Sequence, residues 1–347
     1  MTRILVLATG GTIASRPGAD GIVPTLSGAR IVEEVLADDP GLRDSLQISV
    51  EELFRRPSYT IGPAQMLQLA RRCRTALDRS PDDRDHDGGH DGVVVLHGTD
   101  TVADSAWLTH LLTLPATGGP VVFASAMRHA AEPGADGPRN LLDALRVAAH
   151  PQAAGRGALL VVNGEIHSAA RVVKSHTSAL QAFSSPGAAP VGGLTAGDVR
   201  FTRPPAGPFA DPGPLEALAD VGVVTAWAGH GDTVIDGLLA DGVRGLVVEG
   251  TGAGHVRPDA VAGLERAFAR GVAVTVTSRA GVGPVHRGYG GGPGSGRWLD
   301  TTPTLDSGEL GTARAQLALA VGIAAHGTGA PLADWFGAVV RHQAGLV

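Results

Sequence analysis

The chain has 347 residues, 43% hydrophobic, 18% charged and 4% aromatic, with a net charge of −6. That length suits two domains at about 150 residues each. The longest basic runs, Arg55-Arg56 and Arg71-Arg72 with Arg74, read as solvated positions and leave no electrostatic footprint for nucleic acid. The single cysteine, Cys73, excludes a disulfide framework. It shares one helical register with Met66, Leu69 and Leu77, which favours a core thiol over a catalytic one. No apolar run approaches the ~20 residues of a membrane helix, and the first strand starts at residue 4. A cytoplasmic protein with no membrane contact is expected.

Ile4 to Ala8 is an apolar run that reads as a buried strand, and Thr9-Gly10-Gly11-Thr12-Ile13-Ala14-Ser15 follows it. Paired glycines allow a sharp turn and a close approach to the main chain. Hydroxyls at the carboxyl edge of a parallel sheet lie where open α/β folds bind ligands. Such a turn suits a nucleophile loop or a phosphate cradle. Residues 16–27 show no periodicity and read as a mobile flap or a plain surface connection. Helix 28–37, strand 46–50 and helix 64–77 are expected next, with an irregular segment at 55–60 before the second helix. Residues 81–91 hold two histidines among five aspartates. Their spacing matches no ligand pattern, so an acidic insertion is favoured over a metal site.

Gly92 to Leu96 is a second buried strand, ending in His97-Gly98-Thr99-Asp100-Thr101. A helix over 103–114 follows, with Ala103, Trp107, Leu111 and Leu114 on one face. Two hydroxyl-bearing turns at one sheet edge converge on a single crevice. Strand 120–124 leads into Ser125-Ala126-Met127-Arg128, and helix 140–149 has Asp136 or Asn140 as first-turn groups. Strand 158–162 precedes the segment 169–177, where Lys174 is either an inward residue at a strand end or, the reading favoured, a surface lysine. Residues 200–214 carry five prolines and read as a linker. Beyond it βα alternation resumes with strands at 221–225, 245–249 and 272–276 and helices at 232–240 and 258–270, then a final helical region from 311. The expected fold is α/β: a large N-terminal domain (1–199) with a mostly parallel sheet flanked by helices, and a smaller C-terminal α/β domain (215–347).

Thr12, Thr99, Asp100 and Lys174 form a set of hydroxyls, carboxylate and amine. Threonine attacks only when a neighbour takes its proton, and a hydroxyl–Lys–acid relay is one way to do that. A carboxylate beside an amine favours ammonium, so a lysine there either is desolvated or acts by orienting and stabilising charge. Backbone N–H groups of Gly11 and its neighbours suit an oxyanion hole. The chain lacks the zinc-protease, nucleophile-elbow, Walker and dinucleotide fingerprints.

The Thr9–Ala14 and Gly92–Val102 stretches resemble the two signatures of the bacterial-type L-asparaginase/glutaminase family. The resemblance continues through Ser125–Arg128, Asp136-Gly137-Pro138 with Asn140, Arg171–Thr177, Thr277-Ser278-Arg279 and Ala313-Arg314. It implies an amidohydrolase that frees ammonia from L-asparagine, or from L-glutamine, through a threonine acyl-enzyme without metal or cofactor. Carried over by position, Thr12 is the nucleophile and Thr99, Asp100 and Lys174 form a second, buried triad. Gly11, Gly98, Ser58 and Tyr59 border the substrate. Ser58 holds its α-carboxylate, Asp100 its α-amino group, and Ala126 offers a carbonyl near the leaving amide. A homodimer or homotetramer is implied.

Three positions depart from the family pattern. The flap tyrosine corresponds to about Ile22, and no tyrosine precedes Tyr59. Tyr59 stands where glutamine is common, and residues 281–300 lack the glutamate that a partner subunit supplies. The only tyrosines, Tyr59 and Tyr289, are the candidates for the missing phenol. Asparaginase is the leading reading. A broad glutaminase-asparaginase, an ammonia-releasing amidotransferase subunit and a non-catalytic amino-acid sensor are the alternatives.

Overall fold

In a computed structural model, residues 1–19, 21–78, 89–225 and 231–345 are described. The chain falls into two units, Met1–Pro205 and Ala206–Val347.

In the first unit β1 (Thr2–Gly10) is buried from Ile4 onward. A hairpin follows, β2 (Ser15–Gly18) against β3 (Gly21–Pro24), pairing Arg16 with Val23 and Pro17 with Ile22. The flap is therefore antiparallel ribbon rather than irregular chain. Its pattern was hidden because both strands are mostly exposed and lack an apolar face. α1 (Gly28–Ala37) is capped by the Ser27 side chain and buries Ile31, Val32, Val35 and Leu36. α2 (Pro40–Ser45) and β4 (Leu46–Arg56) follow, and β4 continues into residues expected to be irregular. α3 (Pro63–Leu77) buries Met66, Leu69, Cys73 and Leu77 as expected, and burial pushes the Cys73 thiol up, away from its reactive form. Most of the acidic stretch expected at 81–91 lies outside the described residues.

Next come β5 (Gly92–Leu96), α4 (Val102–Thr117), β6 (Val121–Ala124), α5 (Gly137–Ala149) and β7 (Ala158–Val162). α4 was expected to bury one face, yet Ser105 through Leu114 are all buried. Its hydroxyls are satisfied within the helix: Thr109 donates to Ser105 O and Thr113 to Thr109 O, both at 2.8 Å. β8 (Glu165–Ser168) returns antiparallel to β7. β9 (Val173–Lys174) and β10 (Phe183–Ser184) form a short ribbon. β11 (Gly192–Thr195) and β12 (Asp198–Phe201) close the edge, and β12 takes the first two residues of the expected linker.

The eight-stranded sheet runs β12-β11-β8-β7-β6-β5-β1-β4. Strands β4, β1, β5, β6 and β7 are parallel. Numbered along the chain those five have the order 2-1-3-4-5, so the direction of winding reverses between β1 and β5. Alternation sorts the core onto two faces. Ile4, Val6, Val94 and Val122 pack with Ile31, Val35 and Leu141, while Leu5, Leu7, Val93 and Phe123 pack with Leu69, Cys73 and Ala106.

The second unit has a four-stranded parallel sheet, β13 (Val221–Thr225), β14 (Gly245–Gly250), β15 (Ala273–Ser278) and β16 (Leu305–Asp306). Helices α6 (Gly231–Ala240), α7 (Pro258–Ala269), α8 (Gly296–Leu299), α9 (Thr312–His326) and α10 (Ala330–Ala344) complete it. Its core includes Val224, Ile235, Leu246, Val248, Leu264 and Val276. No helix among the described residues is long and apolar enough to cross a membrane.

Candidate active site

β1 and β5 pair in register, Ile4 opposite Gly92 and Ala8 opposite Leu96, so the turns that follow them leave the sheet side by side. Gly11 has φ +79, open to glycine at little cost, and a Cβ there would lie 2.2 Å from Gly98 Cα. A Cβ on Gly98 would in turn meet Ser58 Oγ at 2.6 Å. Only backbone fits where the three loops meet. The Thr12 turn is held by Ala14 N and Ser15 Oγ, which donate to Gly11 O at 3.0 and 2.8 Å. Gly11 N donates to Arg56 O at 3.2 Å, which leaves any oxyanion contact to its neighbours' N–H groups. Among the described residues the Thr12 hydroxyl, half-buried, has no hydrogen-bond partner.

Lys174 turns inward, against the favoured surface reading, because β9 is pinned by β10 with Lys174 opposite Phe183. Its Nζ donates to Thr99 Oγ1 at 2.9 Å and pairs with Asp100 Oδ1 at 3.2 Å. Ser58 Oγ donates to Asp100 Oδ2 at 3.0 Å and accepts from Asp100 N at 3.1 Å. The three groups differ in exposure. Thr99 is buried and the Lys174 side chain is 21% exposed, whereas that of Asp100 is 51% exposed. The triad expected to be buried thus opens to solvent on its carboxylate side, and the sequence carries no signal of that.

Behind these turns lies a buried polar brace. His97 Nδ1 meets Gly98 O at 2.8 Å, and Ser105 Oγ lies 2.9 Å from Nε2. A carbonyl only accepts, so Nδ1 carries the proton and Nε2 accepts from Ser105. Burial lowers the His97 pKa to about 4, opposed by the Gly98 hydrogen bond, and keeps the ring neutral. Asp136 was expected to cap α5 but makes no side-chain cap bond. Its carboxylate instead accepts from Met127 N at 2.9 Å and Arg128 N at 2.9 Å. Asn140 bridges Ser125 O (2.8 Å) and Asn163 N (2.9 Å), tying α5 to the ends of β6 and β7.

Thr12, Gly11, Ser58, Tyr59 and Asp100 line one cavity of ≈ 350 Å3, at the small end for ligand pockets. Ile22, the flap position matched to a tyrosine, lines it too. Thr99, Gly98 and Lys174 do not line it, and Lys174 and Thr99 reach it through Asp100. Ala126 is buried one residue before Met127, which reaches the cavity. Tyr289 belongs to the second unit, exposed, with its ring 5.3 Å from His255 and 5.2 Å from His286. The sequence reading missed Ser15, His129 and Glu132 in the lining. Their only signal is nearness to the signature stretches.

The Asparaginase, N-terminal family model matches residues 3–207, and the Glutaminase/Asparaginase C-terminal domain matches 220–336. The chain belongs to the asparaginase family. Within that family it is 38% identical to a probable L-asparaginase of Deinococcus radiodurans, covering 92% of each chain. It is 29% identical to a glutaminase-asparaginase of Pseudomonas fluorescens, over 82% of this chain and 77% of that protein. The crystal structure of a probable cytoplasmic L-asparaginase from Campylobacter jejuni superposes with TM-score 0.81 at 26% identity, covering 97% of this chain and 100% of that one. The resemblance read from the two threonine turns and the expected α/β architecture are both borne out.

Proposed function

We propose that the protein is an L-asparaginase that hydrolyses L-asparagine to L-aspartate and ammonia through an acyl-enzyme on Thr12. One observation supports this above all. The Gly11–Gly98 contact joins the Thr12 turn to the Lys174–Thr99–Asp100 web at one small cavity. In this reading Ser58 and Asp100 hold the α-carboxylate and the α-amino group, and bring the side-chain amide to Thr12 Oγ. The oxygen attacks the amide carbon, the threonine proton goes to the leaving nitrogen, and ammonia departs past the Ala126 carbonyl. Water, oriented by Thr99 with Lys174 behind it, then splits the ester and returns a proton to Thr12. Lys174 acts as a fixed cation stabilising charge along this path. Self-association as a homodimer or homotetramer, readable by light scattering, belongs to the same proposal, as does the cytoplasmic compartment.

A glutaminase-asparaginase is the second reading, supported by the Pseudomonas relative. One methylene is worth only about 1–3 kcal/mol of discrimination. Ammonia release from asparagine and glutamine at matched concentrations, with Thr12→Ala as control, tests both. Faster release from asparagine, lost in Thr12→Ala, is expected. Equal rates favour the broad enzyme, and binding without turnover favours a sensor.

A further inference from the structure

Eight residues past β6, a carboxylate enters the cavity wall from a segment that the catalytic scheme does not use. Residues 127–132 are fastened at several points. Met127 N and Arg128 N donate to Asp136, Ala130 N donates to Ser15 O at 3.0 Å, and Glu132 N donates to His129 O at 2.9 Å. The bond to Ser15 ties the segment to the exit of the Thr12 turn. His129 and Glu132 then line the cavity beside Thr12, Ser15 and Ile22.

Two carboxylates line this cavity, Asp100 and Glu132, and they differ in what they already hold. Both Asp100 oxygens have close partners, Lys174 Nζ at Oδ1 and Ser58 Oγ at Oδ2. Among the described residues Glu132 has only longer contacts, an ion pair with Arg128 Nε at 3.4 Å and the ring of His129 with Nε2 at 3.9 Å, and its side chain is 41% exposed. Arg128 also donates through Nη1 to Gly134 O at 3.1 Å. The His129 side chain is 16% exposed and its Nδ1 is buried without a partner among the described residues, so Nε2 is the nitrogen facing Glu132. Neither contact is a short hydrogen bond, so the carboxylate keeps acceptor capacity for a ligand.

An α-amino acid carries an ammonium with three N–H donors, more than one engaged carboxylate satisfies. We propose that Glu132 is a specificity residue that binds the substrate's α-ammonium group together with Asp100. The inference rests on the asparaginase reading and adds to it a residue that selects α-amino acid amides over amides lacking the amino group. A charge-assisted hydrogen bond of this kind is strong enough to read in KM.

The test is Glu132→Gln, a near-isosteric change at a partly exposed position, assayed on L-asparagine and on succinamate, the same amide without its amino group. KM for asparagine is expected to rise about tenfold or more with kcat little changed, while kcat/KM for succinamate stays at the wild-type value. Glu132→Asp should recover part of the asparagine affinity. If succinamate turns over too slowly, inhibition by L-aspartate against inhibition by succinate reads the same contrast. An unchanged asparagine KM, or an equal loss on both substrates, overturns the role of Glu132 and leaves the asparaginase reading standing. A wild-type protein that releases no ammonia from asparagine removes that reading, and this inference with it.

Discussion

Gly11 and Gly98 meet backbone to backbone: a Cβ on Gly11 would sit 2.2 Å from Gly98 Cα, and one on Gly98 would sit 3.0 Å from Gly11 Cα. Each precedes a threonine of the site, so this contact sets the spacing of Thr12 and Thr99. Gly98→Ala would also drive its methyl into Ser58 Oγ. A misplacement of about 1 Å near reacting atoms costs about 10²-fold. Gly98→Ala is expected to lower kcat/KM for asparagine by at least that factor, measured by coupled ammonia assay. A wild-type rate would show that the loops do not need this contact.

Lys174 joins Thr99 to Asp100, and its removal leaves a buried hydroxyl and a carboxylate without their cation. Lys174→Met should lower kcat about 10²–10³-fold with a smaller effect on KM. A change confined to KM would make the lysine a binding group instead.

His97 gives the fold a pH dependence whose sign follows from its neutral, buried ring. Its pKa falls from 6.5 to about 4 on folding. The unfolded chain therefore binds more protons between these values, and stability rises with pH there. The contribution is present in full above pH 6.5 and is lost as pH falls toward 4, about 3 kcal/mol in all. Urea unfolding from pH 4 to 7 should show this slope, and His97→Gln should flatten it.

Tyr59 is 74% exposed yet lines the cavity with Thr12, whereas the flap offers Ile22 at that wall. If its phenol relays the Thr12 proton, Tyr59→Phe lowers kcat by about 10²-fold. A near-normal rate in Tyr59→Phe would end its candidacy.

What the sequence disclosed, and what it withheld, follows from the range of the interactions involved. The βα alternation and both threonine turns were legible because Ile4–Ala8 and Gly92–Leu96 are unbroken apolar runs that stop at glycine and hydroxyl residues. The flap ribbon was not, since Arg16–Pro17 and Ile22–Val23 pair through backbone bonds with no core face to pattern them. Residue types alone favour a surface Lys174, and only the family resemblance groups it with Thr99 and Asp100, because those partners lie 75 and 74 residues away. Asp136 looked like a cap from its place before α5, but the N–H groups of Met127 and Arg128 claim its carboxylate. Glu132 drew no notice because an acidic residue in a turn reads as solvated until the cavity beside it is seen.

In the proposed function Thr12, not Thr99, carries the acyl group. Acid quenching during steady-state turnover of asparagine, followed by digestion and peptide mass analysis, locates any covalent adduct directly. An aspartyl ester is expected on the peptide containing Thr12 and none on the peptide containing Thr99. An adduct on Thr99, or full turnover by Thr12→Ala, would contradict it.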